Sequence, residues 1–111
     1  MSFHETHADA LKRVGTALAS DTRRALLLAL MDGVHYPADM AERLGMGRSN
    51  VSNHLTCLSN CGMIHAHSEG RHVRYEISSP QLQQALLELS RVVLTVHESD
   101  SCLAQIDSSH D

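Results

Sequence analysis

The chain has 111 residues, 42% of them hydrophobic and 20% charged, which suits one compact domain and leaves little for a second. That balance excludes a disordered polymer, and no apolar run approaches the roughly 20 residues a membrane-spanning helix needs. Three aromatic residues (Phe3, Tyr36 and Tyr75) are too few for a base-stacking platform on single-stranded nucleic acid.

In chain order, Ala8, Leu11, Val14 and Leu18 recur at helical spacing and predict a first helix over about 6–18. Ser20, Asp21 or Thr22 can cap a second helix, whose run Ala25–Met31 is apolar all round and so predicts a central buried helix ended by Asp32-Gly33. Pro37 suits the first position of a third helix with Met40, Ala41 and Leu44 inward. Gly45-Met46-Gly47 makes a tight turn. Ser49 is the expected N-cap of a fourth helix running to about Asn60, with Val51, Leu55 and Leu58 as its buried stripe. Met63–His67 and His72–Ile77 then flank Ser68-Glu69-Gly70-Arg71 as a two-stranded hairpin. Pro80 opens a last helix expected over about 80–97. In it Leu82, Leu86, Leu89, Val93 and Val96 form a nearly heptad seam, and Ala85, Val92 and Leu94 form a second. So much apolar surface on one helix of a small domain predicts a dimer. The expected organisation is one domain over 1–97 and a flexible tail over 98–111.

The formal charge of −4 hides a pattern. Residues 1–42 carry a net −2 and residues 76–111 a net −5, whereas residues 43–75 carry +3 through Arg43, Arg48, Arg71 and Arg74 against Glu69. This basic island coincides with the order helix, glycine turn, helix, hairpin, which is a helix-turn-helix followed by a wing. A helix that enters the major groove needs a small, polar outer face. Arg48, Ser49, Asn50, Ser52, Asn53, His54 and Thr56 supply one, and Arg71 and Arg74 place two cations on the wing. The plainer reading is a polar helix face beside a solvated turn, or a winged helix that contacts protein. Salt-dependent binding to a palindromic duplex separates these, because counterion release makes DNA binding steeply salt-dependent.

The run Ser49-Asn50-Val51-Ser52-Asn53-His54-Leu55-Thr56-Cys57-Leu58 resembles the S-x-x-S-x-H-L-x-x-L recognition helix of the ArsR/SmtB family of metal-sensing repressors. Asp21-Thr22-Arg23 resembles the family's D-P-T-R with the proline missing, and Gly62-Met63-Ile64 and Gly70-Arg71-His72-Val73-Arg74-Tyr75 resemble its wing. The similarity spans roughly 8–97. It implies a mainly α winged helix-turn-helix with a small β-hairpin, a homodimer through the first and last helices, and operator DNA as partner.

Three cysteines cannot all pair within one chain. The polar Met1–Asp9 offers no signal-peptide core, so a cytoplasmic protein with reduced thiols is expected. Cys57 and Cys61 are four apart and share one helix face, close enough for two thiolates to hold one metal ion. Cys102 lies in the expected tail, and a three-sulfur site favours large thiophilic ions such as Cd(II) and Pb(II) over tetrahedral Zn(II). The plainer reading makes Cys57 a small buried residue and the other two incidental. A Cys57–Cys61 disulfide is disfavoured, since Cβ atoms about 5–6 Å apart exceed the reach of a disulfide. The full arrangement is similar to the CmtR-type cadmium/lead-sensing branch of the family. That resemblance implies Cys57, Cys61 and Cys102 as metal ligands, the tail cysteine coming from the other subunit.

The nine histidines are scattered. His4 and His7 are either a nitrogen ligand or solvated, and His97 reads as a helix-dipole partner. His35–Leu44 lacks paired cysteines for a third-helix metal site. Gly45-Met46-Gly47-Arg48-Ser49-Asn50 is a broken dinucleotide loop after a helix, and His4-Glu5-Thr6-His7 falls one residue short of H-E-x-x-H. Cys57 beside His54 lacks an orienting third group, so no catalytic residue and no small-molecule substrate are expected. The expected function is a repressor bound to operator DNA without metal and released by Cd(II) or Pb(II). A Zn(II)-responsive or thiol-redox-responsive winged-helix regulator is the alternative.

Overall fold

The computed structural model describes residues 3–92, 94 and 95, with side chains from residue 6 onward. Among these residues the order is α1 (Phe3–Leu18), α2 (Asp21–Met31), α3 (Pro37–Leu44), α4 (Arg48–Asn60), β1 (Ile64–Glu69), β2 (His72–Ile77) and α5 (Pro80–Ser90). The mainly α winged helix-turn-helix expected from the sequence is present. No helix among the described residues is long and apolar enough to cross a membrane.

The core forms where α2, α3 and α4 meet the base of the hairpin, around Leu26, Leu30, Met40, Val51, Leu55, Leu58, Met63 and Ile64. Val51, Leu55 and Leu58 are each 0% exposed, so the predicted stripe on α4 is real and fixes which face of that helix looks outward. Each such side chain contributes about 1.5–3 kcal/mol relative to an exposed position. The Ser20 hydroxyl, itself buried, caps α2 by accepting from the Arg23 N–H at 3.1 Å. Asp21 therefore occupies the first helical turn, where its charge suits the positive end of the helix dipole.

Four expectations need correction. The second helix is not enclosed all round: Leu26, Leu27, Ala29 and Leu30 are buried, but Leu28 is 52% exposed because none of the described residues packs over it. The cap of α4 is Gly47, not Ser49. Gly45 takes a left-handed conformation (φ 64°) and Met46 N–H donates to Ala41 O at 3.0 Å, closing α3 so early that α4 starts at Arg48. The first strand runs from Ile64 to Glu69, and the register Glu69↔His72 leaves a two-residue loop, Gly70-Arg71, in place of the four-residue turn. Gly70 alone carries positive φ (62°), the sign pattern of a type II′ turn, which matches the twist of the strands.

The last helix ends at Ser90, well short of residue 97. Arg91 and Val92 donate to Glu88 O and Leu89 O over 3.1 Å each, and the Ser90 hydroxyl donates to Leu87 O at 2.7 Å, so the final carbonyls are satisfied three residues back. The following run is rich in β-branched valine, which favours helix continuation poorly. Of the predicted seam, Leu82 packs against the core, Leu86 is buried and Leu89 is exposed, while Val93, Val96 and His97 lie outside the described residues. Ala85, Val92 and Leu94 of the second seam are exposed.

The loop before α3 joins the wing as a short third edge. Tyr75 N–H donates to His35 O at 2.9 Å, and His35 Nδ1–H donates to Tyr75 O at 2.8 Å. The hairpin is thereby tied to the start of the helix-turn-helix, so the wing and α4 hold a set relation.

Candidate functional site

With its apolar stripe turned inward, α4 presents Arg48, Ser49, Asn50, Ser52, Asn53 and Thr56 to solvent, and His54 is half-buried. Because Gly47 offers no side-chain cap, the first-turn N–H groups of α4 meet no capping oxygen and suit an anion. Ser49, freed from capping, faces outward with the rest of this surface. The Thr56 hydroxyl donates to Ser52 O at 3.0 Å, which leaves its oxygen as an acceptor and its methyl group for contact.

An open groove of about 450 Å³ runs between the starts of α3 and α4 and the wing, with Tyr36, Arg48, Ser49, Ser52, Arg71 and His72 among its walls. Tyr36, given no site role from the sequence, shapes it. The Tyr36 hydroxyl donates to Glu69 Oε1 at 2.7 Å, and that bond raises the phenol above its usual pKa. The Tyr36 ring also meets His72 edge-on, 6.3 Å between centroids. Tyr36 thus braces the wing tip and engages the acid nearest to Arg71.

Arg74 is placed differently from Arg71. It shares a face of the hairpin with His65, His67 and Glu76 and bonds Glu76 Oε2 at 3.0 Å. His67 Nε2 pairs with the other carboxylate oxygen at 2.7 Å. Arg74 first, then His67, hold the Glu76 carboxyl below its usual pKa.

The thiols sit at the opposite end of α4. Cys61 is its C-cap, and Cys61 N–H donates to Cys57 O at 3.1 Å, so the two residues lie one helical turn apart on one face, as their spacing predicts. Both are free and half-buried. The Arg23 guanidinium lies beside them, with Nη1 4.0 Å from Cys57 Sγ and Nη2 donating to Thr16 O at 3.0 Å. Arg13 of α1 is paired with Asp9 at 2.8 Å. Two thiols with no carboxylate between them are a soft donor set that fits a thiophilic ion. Among the described residues no group of three or more His, Cys, Asp or Glu gathers, so a third ligand has to come from elsewhere. Cys102, the His4 side chain and His97 lie outside the described residues, and His7 is exposed on α1. Arg23 as a neighbour of the thiols is visible only in the packed fold; its place in Asp21-Thr22-Arg23 is the one signal the sequence offers.

Residues 20–66 match the family described as bacterial regulatory protein, arsR family. The chain is 50% identical over 101 residues to the HTH-type transcriptional regulator CmtR of Mycobacterium tuberculosis, covering 91% of this chain and 86% of that protein. It belongs to the ArsR family. Among solved structures, its fold resembles the NMR structure of the cadmium metal-sensor CmtR from Mycobacterium tuberculosis, with TM-score 0.64, 52% identity, and 80% and 93% of the two chains covered. It also resembles a homodimeric winged helix-turn-helix DNA-binding domain from Mycobacterium bovis, with TM-score 0.68, 26% identity, and 81% and 86% covered. The chain is a transcriptional regulator of the ArsR family and not an enzyme.

Proposed function

We propose that this ArsR-family chain is a homodimeric repressor in the cytoplasm that holds palindromic operator DNA without metal and releases it on binding Cd(II) or Pb(II). The observation that carries this reading is the sharing of one rigid helix: the reading face opens α4 and Cys57 and Cys61 close it. Arg48 and Arg71 meet phosphate. Ser49, Asn50, Ser52, Asn53, His54 and Thr56 reach base edges or the backbone, and Arg74 supports the wing. The relation to a cadmium sensor at half identity favours the same soft-metal chemistry here.

Cys57 and Cys61 would hold the ion, with Cys102 of the 98–111 tail as third ligand, from the same or the partner subunit. The bound ion would supply sulfur–metal bonds strong enough to bias one arrangement of α4. Zn(II) is the harder alternative, since it prefers a fourth ligand. Dimerisation is supported by the largely apolar groove between α2 and α5, about 210 Å³ and lined by Leu18, Leu27, Leu28, Met31, Leu86 and Leu89 with Arg24 and Ser90. Leu11 (73% exposed), Val92 and Leu94 are further exposed apolar side chains on α1 and after α5, the kind of surface a second copy would cover. A two-fold dimer needs both α4 helices in register on its DNA, so a small change in their relative pose loses contacts at both half-sites.

The test is an anaerobic Cd(II) titration of the reduced protein, followed in the near ultraviolet, with release of a duplex read by fluorescence anisotropy. The duplex is a palindrome selected from a random library by the metal-free protein. One ion per subunit, sulfur-to-metal absorption lost in Cys57→Ser or Cys61→Ser, and release at the same stoichiometry are expected. DNA binding indifferent to metal sinks the reading. Cys102→Ser with full metal-induced release removes the tail from it.

A further inference from the structure

We propose that Arg23 is the positioning residue that couples the thiol pair to the rest of the fold, an inference that rests on the metal-sensing reading. The guanidinium spans three helices. Its backbone N–H is fixed by Ser20 at the start of α2, Nη2 is bonded to Thr16 O near the end of α1, and Nη1 faces Cys57 Sγ on α4. The Arg23 Nε is buried with no hydrogen-bond partner among the described residues, an unmet donor at the junction itself. Arg24 provides the internal comparison. It donates to Leu18 O at 2.6 Å and pairs with Asp21, so it serves the same end of α1 without touching a thiol. Capping α1 therefore does not account for Arg23 reaching Cys57.

The consequence is electrostatic. A fixed positive charge about 4 Å from a sulfur favours its anionic thiolate form, and a divalent ion held by three thiolates leaves a net-negative site that the guanidinium still attracts. With Cys57 holding a metal ion, a sulfur lone pair would turn to the ion, the Nη1 contact would be drawn from its metal-free position, and the α1–α2–α4 tie would loosen at one corner. Since α4 carries the DNA-reading face, the loosened tie lets it change pose. Arg23 thus raises metal affinity and, through the same contact, converts binding into release.

The experiment compares Arg23→Gln, Arg23→Lys and Arg24→Gln with the unmodified full chain, using Cd(II) as probe and the selected palindromic duplex. Cd(II) affinity is read from sulfur-to-metal absorption, and coupling from the ratio of duplex affinities without and with Cd(II). Arg23→Gln should bind Cd(II) about tenfold more weakly and lose most of a coupling that is typically about 5–150-fold. Arg23→Lys keeps the charge but cannot bridge Thr16 O and Cys57 together, so it should restore Cd(II) affinity and leave coupling low. Arg24→Gln, which removes a neighbouring charge that does not touch Cys57, should leave Cd(II) affinity at the parent value. In the unmodified protein, the Arg23 Nε–H resonance should shift on Cd(II) addition and stay fixed in Cys57→Ser, a readout that stands even where a variant fails to fold. Full coupling in Arg23→Gln, or an Nε–H resonance indifferent to Cd(II), overturns the role of Arg23 and leaves metal sensing intact. Absence of sulfur-to-metal absorption or of release in the unmodified protein overturns both.

Discussion

The two ends of α4 differ in how the rest of the chain holds them. Its first turns, Arg48 to Asn53, project five exposed polar side chains, and only Val51 there is buried. Its last turn is gripped from the side: Cys57 and Cys61 are half-buried, Arg23 reaches across from α2, and Arg13 of α1 stands nearby. One end is open to a large partner and the other closes around a small one. Both are rigidly joined because Val51, Leu55 and Leu58 anchor the shaft between them. A helix held by its middle can transmit a change from one end to the other without any change in its own shape.

The largest expected effect comes from breaking that shaft. Leu55→Ala removes a side chain with no exposure and should destabilise the fold by about 2–5 kcal/mol in a thermal or denaturant melt. Both ends should fail together, and a variant that lost only one activity would contradict the shared anchor.

Cys57→Ser separates the ends. Metal-induced release should disappear, erasing a coupling of roughly 5–150-fold, while metal-free duplex affinity stays within about threefold of the parent. Changes at the open end should do the reverse. Arg48→Ala or Arg71→Ala should weaken duplex binding and make the slope of log affinity against log salt shallower by about 1 each, leaving the Cd(II) titration unchanged. Arg74→Ala should have a smaller effect on that slope, since its guanidinium is already engaged by Glu76.

The wing and the thiol end were not equally legible in the sequence. The helix order, the buried stripe of α4 and the Cys57/Cys61 spacing follow from periodicity, which burial enforces. The start of α4 was misplaced at Ser49 because a serine is a strong cap, yet the left-handed Gly45 ended α3 and let glycine do the capping. The end of α5 was misplaced because apolar spacing continued past Ser90, and spacing carries no information on where carbonyls are satisfied. Tyr36 and Arg23 were missed for one reason. Each acts on a residue more than 30 positions away, through contacts that only the packed fold creates.

The smallest effect is one of pH, and it is confined to the wing. Glu76 has a pKa below its ordinary 4.5 because Arg74 and His67 bond its carboxylate. A lowered folded value means the contribution is complete above 4.5 and is lost as pH falls through the lowered value. A carboxyl NMR titration should show Glu76 titrating below 4.5, and moving back toward it in His67→Ala. Cys57 and Cys61 are remote from this change, so sulfur-to-metal absorption at neutral pH should be the same in His67→Ala and the parent.

The central claim is that the two ends of α4 share one equilibrium, and the most direct test measures Cd(II) affinity with and without the bound duplex. Linkage requires that DNA weaken Cd(II) binding by the same factor by which Cd(II) weakens DNA binding. Equal Cd(II) affinity in the free and DNA-bound protein would mean that the thiols and the reading face only happen to occupy one helix.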